Sequence, residues 1–184
     1  MAKNEWLEFK PTPRQFECWQ YLTDATTTEI GYGGAAGGGK TLLGCYWLLG
    51  NCVSYAGTAW VMGRRELNNL KRTTLLTFLG VCRDQGLIPG KDYVLNSQAN
   101  TITFENSSVI FLFDLSNQPS DPLYTRLGSL ELTGAFVDES NEIPELAIQI
   151  LSARCGRKLN EQYAIKPKIF ETFNPDKGHV YRIF

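Results

Sequence analysis

Apolar and polar positions along this chain form short apolar runs separated by longer stretches with helical spacing. The short runs predict strands, two of them joined as a hairpin by a polar turn: 28–32, 58–62, 101–104, 109–113, 135–137 and 168–173. The helical spacing predicts helices at 13–22, 41–55, 66–82 and 144–155. Strands alternating with helices are typical of a mainly parallel sheet covered on both faces, here with a β-hairpin inserted, so we predict an α/β fold.

Composition narrows the class of protein. A length of 184 residues and a hydrophobic fraction of 43% fit one globular domain spanning residues 1–184. The net charge of −1 gives no global argument for nucleic-acid binding, which leaves only local basic clusters. Five cysteines without a C-x-x-C pair favour reduced thiols and a cytosolic protein. No apolar run approaches the roughly 18 residues of a membrane span, so we expect no membrane partner.

A glycine-rich loop lies between the first predicted strand and the next helix. It matches the phosphate-loop pattern G-x-x-x-x-G-K-[ST] at every fixed position. The residues assigned to nucleotide binding are Gly34, Ala35, Ala36, Gly37, Gly38, Gly39, Lys40 and Thr41. Lys40 is expected on the β- and γ-phosphates of ATP, where it contributes to catalysis, and the Thr41 hydroxyl on Mg²⁺. The structural alternative is a glycine-rich turn.

Two adjacent carboxylates follow the predicted strand 135–137. They are Asp138 and Glu139, and the apolar strand ends directly before them. The carboxyl ends of strands form the ligand-binding edge of an open α/β sheet, so this pair is expected near the phosphate loop. We assign Asp138 to Mg²⁺ and Glu139 to activation of the attacking water. The structural alternative is a solvated acidic turn.

Four segments together resemble one known family. They are Pro13-Arg14-Gln15, Gly34 to Thr41, Leu132 to Glu139, and Glu171-Thr172-Phe173-Asn174-Pro175. In order and spacing they look like the ATPase half of a tailed-bacteriophage terminase large subunit, a P-loop NTPase of the ASCE/RecA-like type. The resemblance implies that Gln15 binds adenine and that Thr172 and Asn174 sense the γ-phosphate and couple hydrolysis to movement.

The same resemblance implies partners and a location. The family drives double-stranded viral DNA into a procapsid together with a portal protein and a small terminase subunit. We therefore expect a homo-oligomeric ring, a pentamer by resemblance, formed from a chain that is monomeric in isolation. The expected location is the host cytoplasm, docked on the procapsid.

Arginines are candidates for the transition-state cation. The phosphate loop itself contains none at 35–38, whereas related terminases place an arginine of the neighbouring subunit near the position of Arg126. A surface arginine in a loop is the alternative for Arg126. Arg64 and Arg65 directly follow the second predicted strand and are candidates for contacts with phosphate, a neighbouring subunit or DNA.

The chain departs from complete large terminases at its C-terminal side. Such proteins carry a nuclease domain with clustered carboxylates, whereas Asp176 is the one acidic residue after the coupling motif, so we expect no DNA cleavage by this chain. One alternative function is a RecA-like lobe of a helicase or DNA-repair ATPase. Another is an assembly module that binds ATP without turnover, against which Glu139 argues.

Overall fold

The computed structural model describes residues 8–35, 37–175 and 178–184, so Ala36 and Asp176 lie outside the described residues. The strands are β1 Glu29–Gly33, β2 Ala59–Arg64, β3 Tyr93–Asn96, β4 Thr101–Phe104, β5 Val109–Asp114, β6 Gly134–Val137 and β7 Ile169–Phe173. The helices are α1 Pro13–Thr23, α2 Lys40–Ser54, α3 Leu67–Arg72, α4 Thr74–Asp84, α5 Thr125–Gly128, α6 Glu145–Ser152, α7 Asn160–Tyr163 and α8 Val180–Ile183. A 3₁₀ turn spans Ser140–Glu142. None of these described helices is long and apolar enough to cross a membrane.

The described strands form one seven-stranded sheet in the order β1-β7-β6-β2-β5-β4-β3. Neighbours from β1 to β5 pair in parallel, and β4 and β3 extend the sheet in antiparallel pairs. This arrangement confirms the predicted α/β fold. The predicted hairpin exists as β4 and β5, but β5 also pairs with β2, so the hairpin continues the main sheet. The edge strand β3 was not predicted.

Helices cover both faces of the sheet, as predicted. Successive residues of β6 show the division, because Phe136 packs on one face and its neighbours Ala135 and Val137 pack on the other. The first face carries α1, α2 and α4, and the second carries α5 and α6. Strands buried on both faces need continuous apolar sequence, which explains why the short apolar runs located the sheet.

The helix predicted at 66–82 is wrong in one respect, because it is interrupted at Thr73. This residue has φ −127° and ψ −77°, which ends α3 before α4 begins. The Thr73 hydroxyl donates to the carbonyl of Asn69 at 2.7 Å. Threonine side chains compete in this way with the backbone hydrogen bonds of a helix interior. At this break Thr73 contacts Arg64 and Thr74 contacts Asp138, at the carboxyl edge of the sheet.

Candidate active site

The phosphate loop connects the carboxyl end of β1 to the start of α2. Gly37 and Gly39 have φ values of 82° and 68°, a region that side chains disfavour. A Cβ at Gly39 would lie 2.4 Å from the Gln15 amide nitrogen, whereas one at Gly37 would meet nothing within 4 Å. The loop therefore needs glycine for its shape and leaves its inner side open. It borders a cleft of about 890 Å³ that also touches the start of α1.

Lys40 lies over the loop that precedes it. Its Nζ donates to the carbonyls of Gly34 at 2.7 Å and Ala35 at 2.9 Å. A third hydrogen bond, of 3.2 Å, goes to Oδ1 of Asn174 beyond the end of β7. The predicted phosphate ligand and one of the two predicted coupling residues are thus in direct contact.

Asp138 is almost fully buried, with 3% of its surface exposed, and hydroxyl groups surround it. Thr41 donates at 3.0 Å to Oδ1 and lies 3.2 Å from Oδ2. Thr172 donates to Oδ1 at 2.7 Å, and Thr74 donates to Oδ2 at 2.6 Å. One carboxylate beside one hydroxyl of the phosphate loop is the oxygen set that Mg²⁺ uses together with nucleotide phosphates, so these residues fit that ion.

Glu139 follows in a left-handed conformation, with φ 54°. Its side chain is 31% exposed and its Oε2 accepts a hydrogen bond from Nη2 of Arg64. The other terminal nitrogen of Arg64 donates to the Thr73 hydroxyl. Arg64 is therefore part of the site, while Arg65 is exposed beside it. The contact with Glu139 is one that the sequence analysis did not foresee for Arg64.

Gln15 lies beside the loop but its amide is engaged within the chain. Oε1 accepts the Thr12 N–H at 2.9 Å, and Nε2 donates to the Gly39 carbonyl at 2.9 Å. The first bond belongs to a capping box at the start of α1. Gln15 thus ties α1 to the last glycine of the loop, and its contact with adenine stays a prediction.

Arg126 lies apart from these groups, in the short helix α5. Its guanidinium donates to Asp121 Oδ2 at 2.8 Å and to the Ser116 carbonyl at 2.7 Å, and it stacks 5.0 Å from the centre of the Tyr124 ring. Only 21% of the side chain is exposed. Reaching a neighbouring subunit would require Arg126 to leave these partners, and its role in trans stays a prediction.

The structure adds two buried polar residues that the sequence analysis missed. Thr74 is fully buried and donates a hydrogen bond to Asp138. In the sequence it stands four residues from both Leu70 and Phe78, so a hydroxyl residue on the apolar side of a predicted helix could have identified it. Glu171 lies within apolar strand β7, with its side chain on the sheet face opposite Thr172. Burial raises the pKa of Glu171 to about 7. Its Oε2 has no hydrogen-bond partner among the described residues.

No protein-family model and no curated protein matches this sequence. Solved structures do match its fold. A large terminase from a thermophilic bacteriophage superposes with a TM-score of 0.67 at 16% identity, covering 90% of this chain and 40% of that one. The same terminase in complex with ADP gives a TM-score of 0.65 at 18% identity, covering 90% and 39%. The large terminase ATPase domain of a Thermus phage gives 0.64 at 13% identity, covering 98% and 71%.

These structures show that the chain has the fold of phage large terminase ATPase domains. The chain spans about 40% of the length of the first of these terminases. At sequence identities of 13–18%, a shared fold does not establish a shared activity, so the function has to be argued from the site.

Proposed function

We propose that this chain is the ATPase domain of a tailed-phage large terminase, hydrolysing ATP to drive double-stranded DNA into a procapsid. One contact carries the proposal, the hydrogen bond between Thr41 of the phosphate loop and Asp138 at the end of β6. It joins a loop shaped for phosphate to an acidic pair, at the edge where α/β sheets bind ligands. The fold shared with terminase ATPase domains supports the same conclusion.

The phosphates of ATP fit the loop between β1 and α2. Backbone N–H groups of Gly37 to Thr41 and the start of α2 provide donors and a partial positive charge. Lys40 exchanges its hydrogen bonds with Gly34 and Ala35 for bonds to phosphate oxygens. Thr41 and Asp138 would hold Mg²⁺, which neutralises charge on the phosphates when it is bound.

Glu139 is the group that activates water. Arg64 holds one carboxylate oxygen, Oε2, which leaves Oε1 to accept a hydrogen bond from the attacking water. A left-handed backbone at Glu139 turns the chain at this position, so the two acids extend in different directions. Arg64 therefore orients Glu139, while Asp138 remains with the threonine hydroxyls.

The end of β7 contacts both halves of the nucleotide site. Thr172 binds Asp138 and Asn174 binds Lys40. When phosphate leaves, Lys40 regains the Asn174 amide oxygen as a partner, and strand β7 shifts its contacts accordingly. This exchange is the physical basis for the proposed sensing role of Thr172 and Asn174.

The proposed motor acts as a homo-oligomeric ring, a pentamer by family resemblance, with a portal protein and a small terminase subunit as partners. It acts in the host cytoplasm on the procapsid, and cleavage of DNA is not assigned to the domain. Arg126 of a neighbour would complete each site, so isolated chains should hydrolyse ATP slowly. An ATPase rate per chain that rises steeply with protein concentration supports sites shared between subunits.

Substitution of the proposed base tests hydrolysis directly. Glu139→Gln should bind ATP with unchanged affinity and lose at least about a hundredfold in turnover, because general-base catalysis contributes that much. Glu142→Gln, an exposed acid in the adjacent 3₁₀ turn, is the matched control and should behave as the wild type. Equal turnover in both variants would contradict the proposal.

A further inference from the structure

The break between α3 and α4 places one threonine in contact with Asp138 and the preceding one in contact with Arg64, the partner of Glu139. Thr74 donates to Asp138 Oδ2 at 2.6 Å. Thr73 accepts a hydrogen bond from Arg64, which in turn holds Glu139. The φ and ψ of Thr73 differ from those of a regular helix. We therefore relate the break to the contacts that its two threonines make with Asp138 and with the partner of Glu139.

The buried position of Thr74 is otherwise apolar. The residue is fully buried, and Leu75 and Phe78 of the same helix belong to the core on this face of the sheet. A buried hydroxyl without a partner costs free energy, whereas valine has nearly the same shape and no such cost. The partner that compensates the Thr74 hydroxyl is the carboxylate of Asp138.

The hydrogen bonds at Asp138 divide between its two oxygens. Thr172 contacts Oδ1 and Thr74 contacts Oδ2, whereas Thr41 lies near both. If Thr41 turns toward a metal ion, one hydroxyl still fixes each oxygen. The plane of the carboxylate is then set by two elements, α4 and β7, that lie outside the phosphate loop.

We propose that Thr74 is a positioning residue, which orients the Asp138 carboxylate for Mg²⁺ shared with the phosphate-loop hydroxyl of Thr41. The inference rests on the proposed function, because it needs a divalent cation at that pair. It goes further because Thr74, which orients the proposed metal ligand Asp138, lies at a helix break that no phosphate-loop pattern includes. Partners that orient metal ligands in this way change metal affinity by about 10–100-fold when removed.

The experiment measures Mg²⁺ dependence of the binding of a fluorescent ATP analogue, alongside thermal melting. Thr74→Val should raise the Mg²⁺ concentration for half-maximal binding by about tenfold or more, with binding in EDTA unchanged. Thr74→Ser, which keeps the hydroxyl, should stay within about threefold of the wild type. Thr77→Val is the control, since its hydroxyl donates to the backbone carbonyl of Thr73, the residue before α4, and not to an acid.

Two further results make the test decisive. Thr74→Ala and Thr74→Ser leave similar space, so their comparison isolates the hydroxyl even if the valine variant does not fold. The inference is overturned if Thr74→Val binds with wild-type Mg²⁺ dependence, or if Ser and Ala are impaired equally. A wild-type chain whose nucleotide binding ignores Mg²⁺ would instead contradict the proposed function and remove the basis of the inference with it.

Discussion

Two buried charges at opposite ends of the sheet are held in different ways. Asp138 follows β6 at the carboxyl edge and accepts from three threonine hydroxyls. Lys168 precedes β7 at the amino edge, and its Nζ donates to the carbonyls of Tyr21 and Thr27 and to Asp24 Oδ1. Both groups are about 95% or more buried, and both have three partners.

The difference lies in where the partners come from and what charge they carry. The partners of Lys168 all belong to the segment 21–27, and one of them is a carboxylate, so the charge is neutralised locally. Those of Asp138 come from α2, α4 and β7, and all are neutral hydroxyls. An anion held only by neutral donors keeps a charge that a cation can still neutralise, whereas the charge of Lys168 is already compensated by Asp24. This contrast separates the proposed ligand site at Asp138 from the structural support that we infer at Lys168.

Substitution at the carboxyl edge should abolish turnover with little effect on folding. Asp138→Asn keeps the shape and can still accept a hydroxyl hydrogen bond, so the melting temperature should shift by only a few degrees. Turnover should fall by about a thousandfold, since metal-based charge stabilisation is worth several kcal/mol. Steady-state ATPase assays and thermal melting measure the two quantities on one sample. Unfolding of the variant, rather than lost turnover, would place Asp138 in the same class as Lys168.

The opposite outcome is expected at the amino edge. Lys168→Met should lower the free energy of unfolding by about 3 kcal/mol, because it removes three hydrogen bonds worth about 1 kcal/mol each. ATP turnover well below the melting temperature should change little. Lys166→Met, two residues earlier and only half-buried, is the matched control. Chemical denaturation measures the free energy of unfolding. A loss as small as that of the control would show that the Lys168–Asp24 pair does not stabilise the fold.

Much of the sheet and of the phosphate loop was predictable because local sequence determines both. Five parallel strands buried on two faces require apolar runs, and the loop requires glycine at Gly37 and Gly39. The acid pair follows β6 and Asp138 contacts the phosphate loop, a position that the sequence indicated because the carboxyl ends of parallel strands lie at one edge of the sheet.

The remainder depends on contacts between distant elements. The break at Thr73 was missed because helix periodicity continues across it, whereas the contacts of its threonines with Arg64 and Asp138 join distant parts of the chain. Pairing of Arg64 with Glu139 joins residues 75 positions apart, which no spacing rule specifies. The partners of Arg126 likewise depend on how the loop from β5 folds back on itself.

Glu171 extends the comparison to a buried acid whose surroundings compensate its charge poorly. The nearby Ser140 hydroxyl lowers the pKa of Glu171 by less than burial raises it. Because the folded-state pKa rises from 4.5 to about 7, the folded chain keeps a proton that the unfolded chain loses. The stabilising effect is full below pH 4.5 and is lost as the pH rises to about 7, up to about 3 kcal/mol.

Glu171→Gln should remove this pH dependence. Thermal melting from pH 5 to pH 8 should show a smaller decline in the variant than in the wild type. Glu105→Gln, an exposed acid in the turn between β4 and β5, should retain the wild-type decline. Parallel profiles for all three proteins would mean that Glu171 ionises in the folded chain without loss of stability, which would contradict the poor compensation of its charge.

Among the substitutions at the site, the smallest effect on ATP turnover is expected at Thr73, which contacts neither acid of the site directly. Its hydroxyl accepts from Arg64 and donates to the Asn69 carbonyl, so it supports Glu139 indirectly and near the surface. Thr73→Val removes both bonds, each worth about 1 kcal/mol or less at an exposed position. Turnover should fall by less than about fivefold, and nucleotide affinity should not change. A loss as large as that of Glu139→Gln would mean that Arg64 holds Glu139 only through Thr73. The helix break would then support both acids of the site, since its other threonine already holds Asp138.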